Sequence, residues 1–161
     1  AILDAADKIP QVSRRGDWLY NLWRDAAHPR GLWRRTTLTS FRTDQPDWET
    51  VLDLDALGQA EGENWVWGGA QLLRPDYRLA LVSMSRGGAD ARVWREFDVE
   101  KREFVSDGFS LPEAKGSLGW IDKDHVFVQT DFGKGTMTDS GYPRVAKLWK
   151  RGTPLAVRAL Q

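Results

Sequence analysis

The sequence predicts an all-β fold, a partial β-propeller of about three four-stranded antiparallel blades with the first and last incomplete. Three observations carry this. Short β-rich runs separated by turn residues recur along the whole 161-residue chain. Residues 78–98 (RLALVSMSRGGADARVWREFD) read as a hairpin. In it Leu79-Ala80-Leu81-Val82 is continuously apolar, as in a strand buried on both faces, and Gly87-Gly88 turn the chain without steric cost. Finally, Pro75-Asp76-Tyr77-Arg78 overlays on Asp122-Lys123-Asp124-His125 at an offset of roughly 47 residues, within the ~40–50 residue range of propeller blades. An ordinary β-sandwich is the structural competitor.

Residues 1–8 (AILDAADK) are expected to form a short helix, stopped near Ile9 because Pro10 disfavours helical geometry before it. Residues 17–25 (DWLYNLWRD) read as a strand, 26–31 as a loop, and 32–41 (LWRRTTLTSF), rich in β-branched and aromatic residues, as the next strand. After a turn at 44–47, residues 48–54 (WETVLDL) make a third strand, and 55–64 form a connector with room for one helical turn. This first blade, about 17–54, supplies its last three strands. The second, about 65–109, supplies four. Its opening strand, 65–73, carries Gly68-Gly69, which lets another backbone approach closely. The 78–98 hairpin follows, then a strand at 102–109 and a connector at 111–115. The third blade, about 117–155, supplies strands at 117–121, 125–130 and 144–150. A long loop at 132–143 precedes its last strand, and a turn at 151–154 leads into a short tail.

With 41% hydrophobic and 29% charged residues the chain is globular, and one domain of this length buries roughly 70% of its unfolded surface. Its 23 basic and 23 acidic residues cancel, which removes the electrostatic footprint of a nucleic-acid or anionic-membrane binder. No apolar run has the length of a membrane span and no signal peptide is visible. Without cysteine there are no disulfides or thiolate sites. The chain opens on Ala1 without an initiator Met, which points to processing, trimming or excision from something longer. Nine tryptophans are spread along it; their expected role is packing between stacked sheets, with an exposed platform for sugars or bases as the alternative.

Antiparallel strands alternate in direction, so second-to-third loops and inter-blade connectors must leave from one end. That end carries residues 25–31, 55–64, 86–91, 108–116 and 133–143, the longer, glycine-rich loops; the other has the tight turns 44–47, 74–77, 99–101 and 122–124. Function is expected on the long-loop rim. The sequence shows no complete active site. The nucleophile elbow G-x-S-x-G is absent. His125 leads a strand, in a structural role, and His28 sits in a loop with no partner identifiable nearby; neither has metal-site spacing. Gly133-Lys134-Gly135-Thr136 lacks the glycine spacing of a phosphate loop and the Ser or Thr directly after Lys. Asp53 with Asp55, and Asp122 with Asp124, read as solvated turn residues rather than a glycosidase pair.

Several motifs, in order and spacing, resemble the non-catalytic propeller of the prolyl oligopeptidase family of serine peptidases, and bacterial members in particular. They are WLYNLWRD at 18–25, GLWRRT at 31–36, Trp48 with Val51-Leu52-Asp53, SRGGAD at 85–90, REFD at 95–98 and LPEAK at 111–115 with Trp120. TDFG at 130–133, SGYPR at 140–144 and WKRGTP at 149–154 complete the set, which covers roughly residues 9–155. The resemblance implies a two-part enzyme in which an α/β-hydrolase domain carries a Ser-Asp-His triad and a seven-bladed propeller restricts access to short peptides, typically cleaved after proline. This chain would then be a fragment of the gating domain, not catalytic alone, with the hydrolase domain of the same polypeptide as its partner and a peptide as the parent's substrate.

In that family the glycine loop that opens on Ser and ends on Asp, and the following connector, face the hydrolase domain. Here these correspond to residues 85–90 and 111–116, on the rim that strand parity selects. The implied interface residues are Ser85, Arg86, Asp90, Lys115 and Gly116, with Asp90 pairing with a basic group across the interface; the alternative is a surface turn capped by Asp90. No cofactor, metal, nucleic acid or membrane is called for. Incomplete closure leaves blade faces and a strand edge for self-association. The expected compartment is the cytoplasm, with the periplasm as the alternative. A second reading is a stand-alone β-rich module that binds a protein or carbohydrate through Trp-lined rim loops.

Overall fold

The computed structural model describes residues 9–155, so the helix expected at 1–8 and the end of the tail lie outside the described residues. The described residues divide into two compact units, one ending at Trp67 and the other beginning at Gly68. The first is built on an antiparallel sheet in the order β1 (Ser13–Arg15), β2 (Trp18–Trp23), β3 (Leu32–Thr37) and β4 (Glu49–Asp53). The sheet thus has one strand more than the three expected. β1 is short and polar, so no hydrophobic alternation betrays it, and Gly16, at φ 60°, makes the turn into β2.

β3 ends four residues before the expected boundary. The Thr37 hydroxyl accepts the Ser40 N–H at 3.2 Å and starts a one-turn helix, α1 (Leu38–Phe41). The 55–64 connector likewise holds more helix than one turn. In α2 (Leu54–Glu61) the Asp53 carboxylate caps the Ala56 N–H at 3.0 Å, and Gly62, left-handed at φ 67°, ends the helix. Trp33, 3% exposed, packs with Tyr20 and Trp67 at ring-centroid distances of 5.4 and 5.2 Å.

β5 (Trp65–Leu72) opens the second sheet, in which β6 (Leu79–Arg86) and β7 (Arg92–Asp98) are central. The hairpin register, Leu79↔Asp98 to Met84↔Val93, is the one the glycine turn implies. β6 is buried on both faces, as its apolar run requires: Ala80, Leu81, Val82 and Met84 are all 0% exposed. A Cβ on Gly68 would lie 2.5 Å from the Ser83 hydroxyl and 2.9 Å from its carbonyl, so the close approach expected at that glycine is real.

The fourth strand departs from expectation. It runs in two pieces, β8 (Glu103–Phe104) and β9 (Ser110–Ala114), both paired with β7. Residues 111–115, read as a connector, are therefore mostly strand; Pro112 is tolerated because β9 pairs on one side only. Between the pieces the chain bulges around the buried Glu96. Its backbone N–H donates to the Phe109 carbonyl and its carboxylate accepts the Phe109 N–H at 2.8 Å. A Cβ on Gly108 would meet that carboxylate at 2.9 Å, so only glycine lets the bulge close over it.

The third sheet has the three strands expected: β10 (Ser117–Asp122), β11 (His125–Gln129) and β12 (Ala146–Lys150). Its inner face and that of the second sheet share one core, in which Leu81, Trp94, Phe109, Leu111, Leu118, Val126 and Val128 are buried and Trp120 and Trp149 pack at the margin. Arg151, just past β12, reaches back to Glu96 with two bonds of 2.9 Å.

Candidate functional site

At one end of the second and third sheets three segments converge: the β6–β7 tip, the β9–β10 link and the loop at 131–145. The tip turns where Gly87 and Gly88 take φ 64° and 86°, conformations open to glycine, and it leaves Asp90 exposed. The link is only Lys115-Gly116, much shorter than the 108–116 connector expected. A Cβ on Gly116 would run into the Gln129 carbonyl, so glycine is required for this tight passage, and the Trp94 indole donates to the Gly116 carbonyl at 3.0 Å.

The long loop is internally bonded. The Thr136 hydroxyl accepts from Phe132 N–H at 3.0 Å and donates to the Gly133 carbonyl at 2.7 Å, so the superficially phosphate-loop-like stretch is a closed turn. Thr138 N–H donates to the Tyr142 carbonyl at 2.7 Å and Arg144 N–H to that of Thr136 at 2.8 Å, so the loop is a tight return that presents Tyr142, 47% exposed.

Together these segments line an open cleft of about 370 Å3 with Asp90, Arg92, Lys115, Gln129 and Tyr142 among its walls. The Tyr142 hydroxyl donates to Asp90 at 3.3 Å. Lys115 Nζ lies 4.6 Å from the centre of the same ring and 3.5 Å from the Ser140 carbonyl. One tyrosine thus mediates between an acidic and a basic group from different connecting loops.

Of the five residues expected here, the structure brings three together: Asp90, Lys115 and Gly116. Ser85 lies within β6 at 5% exposure, so its side chain is not at the surface. Arg86 turns to the Glu113 carboxylate at 2.7 Å rather than into the cleft. Sequence reasoning missed Tyr142, Arg92 and Gln129. The signal for Tyr142 was its position, an aromatic residue in the longest loop on the selected rim.

The histidines are held locally. His28 Nδ1 lies 3.1 Å from Asp25, a partner three residues away that the sequence reading did not identify, and His125 Nδ1 lies 2.9 Å from Asp122. The hydrogen bond from His125 holds the Asp122 carboxyl below the usual carboxylate range. Asp25 is likewise lowered, chiefly by the His28 backbone N–H. Asp53 is a helix cap, and Asp55 accepts the N–H groups of Arg30 and Gly31 at 3.0–3.2 Å, so these aspartates organise turns more specifically than solvated residues would. Among the described residues no cluster of three or more His, Cys, Asp or Glu side chains could hold a metal ion, and no helix is long and apolar enough to cross a membrane.

Comparison with known proteins accords with this architecture. The family model for the prolyl oligopeptidase N-terminal beta-propeller domain matches residues 2–156. An uncharacterized peptidase of Sinorhizobium fredii is 47% identical over 156 residues, 96% of this chain and 21% of that protein. One from Rickettsia prowazekii is 36% identical over 149 residues, 88% of this chain and 20% of that protein. The chain therefore spans about a fifth of the length of these curated relatives. A post-proline cleaving enzyme from Rickettsia typhi superposes with a TM-score of 0.92 at 34% identity, over 99% of this chain and 24% of that one. Oligopeptidase B from Leishmania major, at 13% identity and a TM-score of 0.67 over 88% of this chain and 19% of that one, shares the fold. With three antiparallel sheets in succession and a family match over nearly its whole length, this chain belongs to the prolyl oligopeptidase N-terminal β-propeller domain family.

Proposed function

We propose that the chain is the propeller portion of a longer prolyl oligopeptidase-type serine peptidase, where it gates and orients short peptides for hydrolysis after proline by an α/β-hydrolase domain. The observation that carries this is the asymmetry of coverage: 96% of this chain aligns with only 21% of a peptidase. The side chains on the long-loop rim favour docking over catalysis. Asp90 and Lys115 are exposed or half-buried charges on opposite parts of one tyrosine, and, away from this cleft, both histidines are bonded to nearby aspartates. In this reading Asp90 receives a basic group of the hydrolase domain, displacing a hydroxyl bond that at 3.3 Å is long.

Incubating the chain with a chromogenic proline substrate and a serine-reactive probe is expected to give neither turnover nor labelling; either one refutes the non-catalytic assignment. In the complete polypeptide, Asp90→Ala is expected to loosen domain closure and change substrate affinity or its pH dependence. Unchanged kinetics and interdomain stability would remove Asp90 from the interface. The isolated chain is also expected to self-associate, because the third sheet leaves Phe127 49% and Ile121 42% exposed and ends on the β12 edge. A monomer at all concentrations in sedimentation equilibrium would contradict this.

A further inference from the structure

The motif around residues 18–36 has a feature that the peptidase reading does not use. β3 carries two consecutive arginines that point to opposite faces of the first sheet, and their surroundings differ. Arg35 lies 3.9 Å over the Trp18 ring, and its Nε donates to the Glu49 carboxylate at 3.0 Å: an aromatic wall with an anion. Arg34 has aromatic walls on two sides and no anion. Its guanidinium carbon lies 4.3 Å from the Trp23 ring centre, on the β2 side, and 4.0 Å from that of Trp48, beside β4. Its Nε donates to the side-chain amide oxygen of the buried Asn21 at 2.9 Å. Among the described residues, neither Nη nitrogen has a hydrogen-bond or ion-pair partner.

Asp25 is near enough to be felt, but no ion pair joins it to Arg34. Its oxygens are taken by Trp23 Nε1 at 3.1 Å, by the N–H groups of Ala27 and His28 at 3.0 and 2.8 Å, and by His28 Nδ1 at 3.1 Å. Burial between the rings pushes the Arg34 guanidinium down to about 10, so it remains a cation at neutral pH while losing part of its hydration. A planar fork held by one bond, walled by indoles and with its outer amines unfilled matches the two oxygens of a carboxylate.

We propose that Trp23, Arg34 and Trp48 form a carboxylate-binding site on the first sheet. The carboxylate bridges the Nη amines, while the indoles exclude water from the pair. Its source is either an acidic side chain of another protein segment or a peptide chain end, and the chemistry at Arg34 is the same for both.

The test follows the Arg34 Nε–Hε signal by NMR in the 161-residue chain, assigned by its loss in Arg34→Lys. The chain is titrated at constant ionic strength with acetate, with N-acetyl-aspartamide and with N-acetylglycine, against chloride. A saturable shift is expected with half-saturation at about 10–100 mM, as for one bidentate charge-assisted pair. Stronger binding of the aspartamide assigns the site to a protein side chain, and stronger binding of N-acetylglycine to a chain end. Arg34→Lys keeps the charge but loses the fork, and followed through the Trp48 indole signal it should bind about tenfold more weakly or worse. Shifts no different from chloride for all three carboxylates, or equal affinity in a folded Arg34→Lys chain, would overturn the proposal.

Discussion

Replacing Arg151 with Met tests how the second and third sheets are held together. Arg151 makes two 2.9 Å bonds to Glu96, whose side chain is only 1% exposed, and two more to the Lys123 carbonyl at 3.0 and 2.5 Å. Its guanidinium also lies 4.6 Å from the Phe109 ring centre. Met preserves much of the packing volume but leaves the Glu96 carboxylate buried with the Phe109 N–H as its remaining partner among the described residues. Removing one partner of a buried ion pair costs ~3–5 kcal/mol. Because the Arg151 side chain is 29% exposed, water reaches that end of the pair, and the lower figure of about 3 kcal/mol applies. For a chain of this size that is a fall of roughly 6–12 °C in Tm. Urea unfolding followed by tryptophan fluorescence measures it directly, and Glu96→Gln with Arg151→Met closes a double-mutant cycle. The double variant should be less destabilised than the sum of the single ones. Strict additivity, or a cost below about 1 kcal/mol for Arg151→Met, would show that the pair does not join the sheets.

Gly116→Ala forces a Cβ against the Gln129 carbonyl, so the β9–β10 link must shift; a loss of ~1–3 kcal/mol is expected in thermal melts, together with a displaced Lys115 signal. Asp53→Ala removes the α2 cap and should cost ~0.5–2 kcal/mol, with a drop in helical circular dichroism. Asp98 gives a pH signature. Burial pushes its carboxyl up, but the Arg78 guanidinium and the N–H groups of Lys101 and Glu100 outweigh burial and leave it below the usual range. Its native pKa is therefore below its unfolded one. The stabilisation is complete above the unfolded value, ~4, and disappears as pH falls through the lower native value. Urea midpoints should drop more steeply below about pH 4 in the parent chain than in Asp98→Asn, and parallel acid limbs would contradict the assignment.

What could be read from the sequence was what depends on near neighbours. β6 announced itself because four consecutive apolar residues fit only a strand covered on both faces, and Gly87-Gly88 marked the tip because few other residues turn there. β9 was misread because Ser110, Pro112 and Glu113 are loop-like in composition. What makes that segment a strand is its pairing with Arg92, Trp94 and Arg95 of β7, a contact that composition does not encode. β1 was missed for the same reason, since three polar residues become a strand only when β2 is beside them.

The sites show the same limit at longer range. Asp90 and Lys115 were legible as rim residues from strand parity, but Tyr142, which brings them together, lies 52 residues from Asp90. The tryptophans make the point more sharply. Their number suggested core packing, and Trp33, Trp65 and Trp94 are indeed buried. Yet Trp18, Trp23 and Trp48 stand over arginines, which explains how a strand reading Leu-Trp-Arg-Arg-Thr-Thr can lie within a sheet. An indole face accepts a guanidinium plane with little loss of apolar contact, so charge can be placed mid-strand where an aliphatic neighbour would exclude it. Such a cation still needs an anion once its hydration is reduced. Arg35 has one in Glu49; for Arg34 the rings are in place and the anion must come from elsewhere.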